Sequence, residues 1–242
     1  MVRFLRRFDP ERLRLLIFDL DGTLIDSRLD LIKSVNAALR HIGRPELEGD
    51  VIASYVGDGA PALMQRAVGE GCHESVLNSA LEFFLTYYRQ HKLDHTTLYE
   101  GVSEVLAELS QPPRQGPDHG LAQTDQRAIR RKMAVLTNKP VNPSRDILRA
   151  FGLSSHFFRI YGGNSFATKK PHPMGVQALL DEAGVLPEEA LMIGDSAVDV
   201  MTGRNAGLWT CGVSYGFAPH TLSEIAPDVL VDAPREIGEI FQ

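Results

Sequence analysis

Two aspartates one residue apart, Asp19 and Asp21, follow an apolar run in the stretch LLIFDLDGTLIDS. Residues i and i+2 of an extended strand point to the same side, so both carboxylates project together while Leu20 faces away. Two neighbouring carboxylates can divide the work of a nucleophile and of a general acid and base. The alternative is structural, because aspartates also cap turns, and Gly22 and Thr23 suit such a turn.

Three further polar residues stand at or beyond the ends of other apolar runs. Thr137 ends VLT, Asp195 follows ALMIG, and Lys170 lies in the loop KKPHP. Each has an ordinary structural explanation alone, as does Asp199 one turn after Asp195, where the helix dipole favours an acid. Together they would have to coincide at the sheet edge where open α/β sheets bind ligands. That coincidence favours a common site.

The elements that must position these residues are short apolar runs separated by helical periods. The runs are LRLLIFD, MAVLTN, FRIYGG, ALMIGDS, WTCGVS and DVLVDA. Helical spacing is clear at Val102, Val105, Leu106 and Leu109, and again at Val176, Leu179, Leu180 and Ala183. Alternating strands and helices predict an α/β fold with a Rossmann-like parallel sheet and helices on both of its faces.

Two segments interrupt this alternation. The connection from the first predicted strand to the helix at Val102 is far longer than a crossover needs, and its apolar spacing is helical. We therefore predict an all-helical cap domain over residues 28–96, inserted into a core of residues 1–27 and 97–242. The second segment, Gln111 to Gln126, is rich in Pro, Gly and Gln and is expected to be a mobile surface loop without a catalytic role.

Composition excludes several classes of function. The 242 residues carry 25 Lys and Arg against 31 Asp and Glu, a formal charge of −6, with no basic stripe among aromatics. Nucleic acid is therefore not an expected partner. No apolar run approaches the length of a membrane helix, and Cys72 and Cys211 fit no metal spacing. We expect a soluble, cytoplasmic protein without a membrane partner, either a monomer or a homodimer.

The order of the motifs resembles the haloacid dehalogenase superfamily, specifically its phosphatases with a helical cap inserted after the first motif. The motifs are DLDGT, a strand-end Thr, Lys-Pro and GDSxxD, and the resemblance covers nearly the whole chain. It implies the following roles: Asp19 as nucleophile, Asp21 as acid and base, Thr137 and Lys170 as phosphate holders, Asp195 as metal ligand, and Asp199 as support for Lys170 or a metal-bound water. Lys169 competes with Lys170, but only Lys170 precedes Pro.

A divalent cation follows from the charge of this set. Four aspartates and one lysine give a formal charge of about −3, which would repel a phosphate dianion. Oxygen ligands alone suit Mg²⁺. By resemblance the ligands are the carboxylates of Asp19 and Asp195 and the backbone carbonyl of Asp21.

The resemblance also narrows the reaction to phosphate monoester hydrolysis through an aspartyl-phosphate. Phosphonate-cleaving relatives and dehalogenases lack an acid at the position of Asp21. Sugar phosphomutases usually carry an acidic residue where Gly194 stands here. The expected partner is therefore a small phosphorylated metabolite.

Substrate choice is expected to lie in the cap loop around Gly57, Asp58 and Gly59. This loop, with TNKP and KKPHP, resembles the phosphoglycolate phosphatases, which implies 2-phosphoglycolate as substrate, with the backbone N–H of Asn138 on phosphate. Backbone N–H groups from Gly57 to Ala60 could hold its carboxylate. Arg66 and Lys139 are weaker candidates for binding this carboxylate, and surface roles are favoured for both. The Asp58 carboxylate would repel the substrate unless it points away.

Two alternatives remain open. The chain could hydrolyse another small phosphate ester or pyrophosphate, because cap loops change specificity without touching the core. It could also be a binding or regulatory module without turnover, although the complete set of site residues argues against this.

Overall fold

The computed structural model describes residues 1–111 and 131–242, and the predicted loop beyond Gln111 lies outside them. In these residues the chain forms nine strands and nine α-helices. The strands are β1 (Arg3–Phe4), β2 (Leu15–Phe18), β3 (Ile25–Asp26), β4 (Thr97–Leu98), β5 (Lys132–Leu136), β6 (Arg159–Tyr161), β7 (Ala190–Gly194), β8 (Trp209–Val213) and β9 (Val229–Val231). The helices are α1 (Arg28–His41), α2 (Gly49–Ser54), α3 (Ala60–Val68), α4 (Glu74–His91), α5 (Val102–Leu109), α6 (Val141–Ala150), α7 (Met174–Ala183), α8 (Ala197–Asn205) and α9 (Arg235–Glu239).

Seven of the strands form one sheet in the order β1-β9-β8-β7-β2-β5-β6. Every neighbouring pair is parallel except β1 and β9, which are antiparallel at one edge. The six predicted strands are all present, and the α/β fold class is confirmed. The short edge strand β1 was not predicted, because two residues carry no periodicity.

The central strand β2 is buried on both faces, which explains its unbroken apolar sequence. Leu16 and Phe18 pack into a core that includes side chains of α5, α6 and α9. Leu15 and Ile17 point to the other face and pack against α7. Burial of each such side chain stabilises the fold by about 1.5–3 kcal/mol. The sheet is therefore fixed rigidly at the strand whose end carries Asp19.

Helices α1 to α4 have a hydrophobic core of their own. Leu31, Val35 and Leu39 of α1 pack with Met64 of α3 and Phe84 of α4. The three α1 residues are spaced four apart in the sequence, as one face of a helix requires. We call residues 28–96 the helical segment. No helix in the described ranges is both long and apolar enough to cross a membrane.

A small antiparallel sheet joins the two chain passages between the helical segment and the large sheet. Ile25 of β3 pairs with Leu98 of β4, and Asp26 pairs with Thr97. The Asp30 carboxylate, just inside α1, accepts hydrogen bonds from the backbone N–H groups of His95 (3.0 Å) and Thr96 (2.8 Å). The passages into and out of the segment are therefore tied together.

Candidate active site

The carboxyl ends of three adjacent strands bring the predicted site residues together. Asp19 follows β2, Thr137 follows β5 and Asp195 follows β7, and β2 lies between the other two strands. Lys170 reaches the same place from the loop after β6, where its carbonyl accepts a hydrogen bond from the Asn138 side chain (3.1 Å). All five residues line one cavity of about 730 Å³.

Lys170 links two carboxylates at the floor of this cavity. Its Nζ lies 2.7 Å from Oδ1 of Asp19 and 2.6 Å from Oδ1 of Asp199. Burial lowers the pKa of Lys170, but the charges of these two carboxylates outweigh burial and raise that pKa above its usual value. Lys170 therefore carries a permanent positive charge beside Asp19.

Three buried carboxylates form a group that fits a divalent cation. Asp19, Asp195 and Asp199 each offer one oxygen, and these oxygens all lie within 4.8 Å of one another. Burial, with the charges of Asp199 and Asp19, raises the pKa of Asp195 to about 8. Burial also raises the pKa of Asp19 to about 6, although Lys170 opposes that rise. A cation held by these oxygens would relieve the repulsion, and the oxygen-only donor set suits Mg²⁺.

Asp195 is fixed by the backbone of the loop after β8. Its Oδ2 accepts hydrogen bonds from the N–H groups of Phe217 (2.6 Å) and Ala218 (3.1 Å). A β-carbon at Gly22 or Gly216 would overlap the Asp195 side chain. Only glycine at these two positions leaves enough space for the Asp195 carboxylate.

Gly194 leaves space for the Asp199 side chain, as Gly22 and Gly216 do for Asp195. A β-carbon there would overlap the Asp199 carboxyl group, which packs against the last residue of β7. Asp199 also accepts hydrogen bonds at Oδ2 from the N–H (3.2 Å) and hydroxyl (2.7 Å) of Ser196, capping α8. An acidic side chain at position 194 is therefore incompatible with the observed Asp199 and Lys170 pair.

Asp21 lies in different surroundings from Asp19. Lys139 donates to both Asp21 oxygens, at 2.7 and 3.0 Å, and the Ser27 hydroxyl donates to Oδ1. Although burial lowers the pKa of Lys139, the charge of Asp21 raises it above its usual value overall, so this ammonium also remains charged. The two carboxylates of the first motif thus have separate lysine partners.

The expected surface role for Lys139 was wrong, because the residue is only 6% exposed and faces the site. From the sequence, Lys139 was only a weaker candidate for contact with the substrate carboxylate. The missed signal was its spacing, since Lys139 stands two residues after Thr137 as Asp21 stands two after Asp19. With Lys139 included, the site has four carboxylates and two ammonium groups, a formal charge of about −2 rather than −3.

The loop around Gly57, Asp58 and Gly59 contacts the strand ends directly. The Asn138 side chain donates to the carbonyl of Gly57 (2.8 Å), and the Lys169 ammonium donates to the carbonyl of Asp58. Gly57 and Gly59 line the cavity. The Asp58 carboxylate pairs instead with exposed Arg66, so the expected surface role of Arg66 is confirmed.

Thr137 and Asn138 are both buried at the end of β5. Thr137 donates its N–H to the carbonyl of Tyr161 (3.0 Å), and its Oγ1 accepts from the N–H of Lys139 (3.2 Å). These bonds place the Thr137 hydroxyl at the cavity beside Asp19. Its position suits contact with an anionic group bound there.

Comparisons with known proteins agree on one family. A family model described as haloacid dehalogenase-like hydrolase matches residues 16–213. A protein named phosphoglycolate phosphatase from Chromobacterium violaceum is 33% identical over 236 residues, which cover 96% of this chain and 98% of the relative. One of the same name from Vibrio vulnificus is 33% identical over 241 residues, covering 95% and 96% of the two chains. A crystal structure described as a "predicted phosphoglycolate phosphatase" from Haemophilus somnus superimposes with a TM-score of 0.83 at 30% identity, covering 96% of this chain and 99% of that one.

Proposed function

The chain belongs to the haloacid dehalogenase-like hydrolase family, and from that premise we propose that it is a Mg²⁺-dependent phosphatase that hydrolyses 2-phosphoglycolate to glycolate and phosphate. The observation that carries this proposal is the separation of Asp19 from Asp21. Asp19 adjoins Lys170 and the carboxylate group, whereas Asp21 is held by Lys139 and Ser27. Two carboxylates in unlike surroundings are suited to two chemical roles.

The first step starts with Asp21 in its protonated form. Asp19 attacks phosphorus in line with the ester bond, and the ester oxygen leaves with the proton of Asp21. The product of this step is an aspartyl-phosphate on Asp19. In the second step, Asp21 takes a proton from water as the water attacks the same phosphorus. Phosphate leaves, and both aspartates return to their starting states.

The remaining groups bind and orient the phosphate. The ammonium of Lys170, the hydroxyl of Thr137 and the backbone N–H of Asn138 donate to its oxygens. Asp199 positions Lys170 through their ion pair. Mg²⁺ would be held by the carboxylates of Asp19 and Asp195 and the carbonyl of Asp21, and would neutralise charge on the phosphate.

Residues 28–96 act in this proposal as a cap domain over a core formed by residues 1–27 and 97–242. The separate hydrophobic core of the helical segment supports this division. The contacts of Gly57 and Asp58 with Asn138 and Lys169 close the loop onto the strand ends. Closure would exclude water from the reacting groups.

The test is phosphate release from a panel of phosphate esters and pyrophosphate, with Mg²⁺ and with chelator. We expect the highest kcat/KM for 2-phosphoglycolate and loss of activity with chelator. Preference for another ester or for pyrophosphate would refute the assignment of 2-phosphoglycolate as substrate but would leave the mechanism intact. Absence of turnover with every compound of the panel would refute the proposed enzymatic activity and favour a binding module.

One observation favours a second candidate, a larger phosphate ester. The cavity of about 730 Å³ lies within the range of about 300–1,000 Å³ that accommodates drug-sized ligands, well above what 2-phosphoglycolate fills. Part of its wall is apolar, including Leu63, Phe84 and Phe217. The panel therefore includes esters with larger apolar groups.

A further inference from the structure

Lys139 and Tyr88 meet across the cavity from different parts of the fold. Lys139 follows β5, whereas Tyr88 projects from α4 of the helical segment. The Lys139 Nζ lies 4.6 Å from the centre of the Tyr88 ring. Both residues line the cavity, and they are only 6% and 4% exposed. A cation and a phenol are thus buried together at a cavity wall.

Both groups retain hydrogen-bonding capacity. An ammonium has three donors, and the two oxygens of Asp21 accept two of them. The Tyr88 hydroxyl is buried and has no hydrogen-bond acceptor within residues 1–111 and 131–242. Buried hydroxyl groups normally have a partner, so this one indicates a ligand that supplies an acceptor. Burial raises the pKa of Tyr88 to about 12, which keeps the hydroxyl protonated as a donor.

The position of this pair relative to Asp21 identifies the acceptor. In the proposed reaction, Asp21 contacts the ester oxygen of the substrate, and Lys139 is within 3.0 Å of both Asp21 oxygens. A substituent one carbon from the ester oxygen would lie beside Lys139. In 2-phosphoglycolate that substituent is a carboxylate, which accepts from both an ammonium and a phenol.

The other cations of the cavity are less suited to this role. Lys170 is engaged by Asp19 and Asp199. Lys169 and Arg89 are exposed, and Lys169 donates to the carbonyl of Asp58. Within the described lining, Lys139 is the buried cation that is separate from the nucleophile.

We propose that Lys139 and Tyr88 form a subsite for a carboxylate placed one carbon from the ester oxygen of the substrate. This inference rests on the proposed function and deepens it. It moves the carboxylate from the backbone of Gly57 to Ala60, the favoured place from the sequence, to the side chains of Tyr88 and of Lys139, which was a weaker candidate. Tyr88 makes the subsite depend on the helical segment, because the phenol is placed only when that segment covers the strand ends.

The test compares 2-phosphoglycolate with ethyl phosphate, which has a methyl group in place of the carboxylate. Lys139→Met, Tyr88→Phe and the control Arg89→Met are compared with the unaltered protein by the ratio of the two kcat/KM values. We expect that ratio to fall at least about 30-fold in Lys139→Met and about 10-fold in Tyr88→Phe. In Arg89→Met it should change less than about threefold.

The ratio separates substrate recognition from effects on Asp21. If Lys139 only positions Asp21, Lys139→Met slows both substrates equally and the ratio stays constant, which overturns the proposal. Tyr88→Phe removes one oxygen and leaves the ion pair of Lys139 and Asp21 in place, so it tests the subsite even if Lys139→Met unfolds. An unchanged ratio in Tyr88→Phe removes Tyr88 from the subsite and overturns the proposal as stated.

A binding measurement tests the subsite without requiring turnover. The dissociation constant of 2-phosphoglycolate is measured by calorimetry with Mg²⁺ in Asp19→Asn, with and without Tyr88→Phe. Weakening of about 10-fold by Tyr88→Phe supports the subsite, and equal affinity overturns it. If the unaltered protein hydrolyses no ester but binding still depends on Tyr88, the proposed function fails while the subsite stands.

Discussion

The Lys170 ammonium lies 2.6 Å from Oδ1 of Asp199, and the two side chains are only 3% and 2% exposed. Lys170 contacts Asp19 on its other side. The orientation of Asp19, the proposed nucleophile, therefore depends on an acid that follows a different strand. Ser196 and Gly194 in turn determine where that acid lies.

Replacing Asp199 should impair both catalysis and stability. Asp199→Ala leaves Lys170 with Asp19 alone and should lower kcat/KM about 10–100-fold. The unfolding free energy, measured in urea, should fall by less than the roughly 3–5 kcal/mol of a fully unpaired buried charge, because Asp19 still compensates Lys170. Asp199→Asn keeps an acceptor for Ser196 and should be the more stable variant. Equal stability of the two variants would show that the hydrogen bonds from Ser196 to residue 199 do not stabilise the N-terminus of α8.

Replacing Asp19 by Asn should abolish turnover while the fold remains. The amide cannot form the aspartyl-phosphate, so kcat should fall at least about 1,000-fold. Phosphate release and far-UV circular dichroism check the two parts. Asp50→Asn, at an exposed position of α2, is the matched control and should retain full activity. Activity of Asp19→Asn near that of the control would eliminate this mechanism.

Mg²⁺ should stabilise the folded protein as well as activate it. The cation would bind the carboxylates of Asp19 and Asp195 and relieve their repulsion, so Tm should rise with Mg²⁺ concentration. In Asp195→Asn this rise should be greatly reduced, although the folded state remains. Ca²⁺ should also raise Tm but should inhibit turnover, because its looser coordination can engage both Asp19 oxygens. Equal activation by Ca²⁺ and Mg²⁺ would contradict the metal assignment.

Gly194 should not tolerate even a methyl group. In Gly194→Ala the new β-carbon would overlap Asp199, which must move away from Lys170. We expect a loss of about 1–3 kcal/mol in unfolding free energy together with reduced kcat. The control is Gly49→Ala, where a β-carbon would lie 3.2 Å from the flexible end of Ile32. Similar behaviour of the two variants would show that the contact with Asp199 is not tight.

The contact between the helical segment and β5 can be tested with two glycines of one loop. Gly57 and Gly59 both have positive φ, 131° and 82°, so either alanine variant strains the backbone. Only at Gly59 would the β-carbon meet the core, 2.9 Å from the carbonyl oxygen of Asn138. Gly59→Ala should therefore lower kcat/KM more than Gly57→Ala. The reverse order would show that closure of this loop onto Asn138 does not limit the reaction.

Much of the fold was predictable from the sequence because its strands are central and buried. The unbroken apolar run of β2 and the helical spacing of α5 and α7 each contain a complete local signal. Asp19, Thr137 and Asp195 could be placed together because each immediately follows such a run. The short strands β1, β3 and β4 could not be predicted, since each depends on a distant partner rather than on its own two residues.

The site was less predictable wherever a side chain has a partner from another element. The pairing of Lys139 with Asp21 joins residues 118 positions apart, and the spacing of Lys139 after Thr137 does not by itself identify Asp21 as its partner. In the sequence, Tyr88 stands four residues after Phe84 and fits the apolar spacing of a helix, with no sign of a polar role. Its contact with Lys139 depends on how the helical segment lies over β5, which periodicity does not encode.

The pairing of β3 with β4 has a consequence for how this fold can diversify. It holds the two ends of a helical segment one strand apart, and no strand of the large sheet lies within that segment. Its helices can therefore be lengthened, shortened or exchanged while the aspartates and lysines at the strand ends keep their positions. Such an arrangement allows the cavity residues that the helical segment contributes to change while those at the strand ends stay the same.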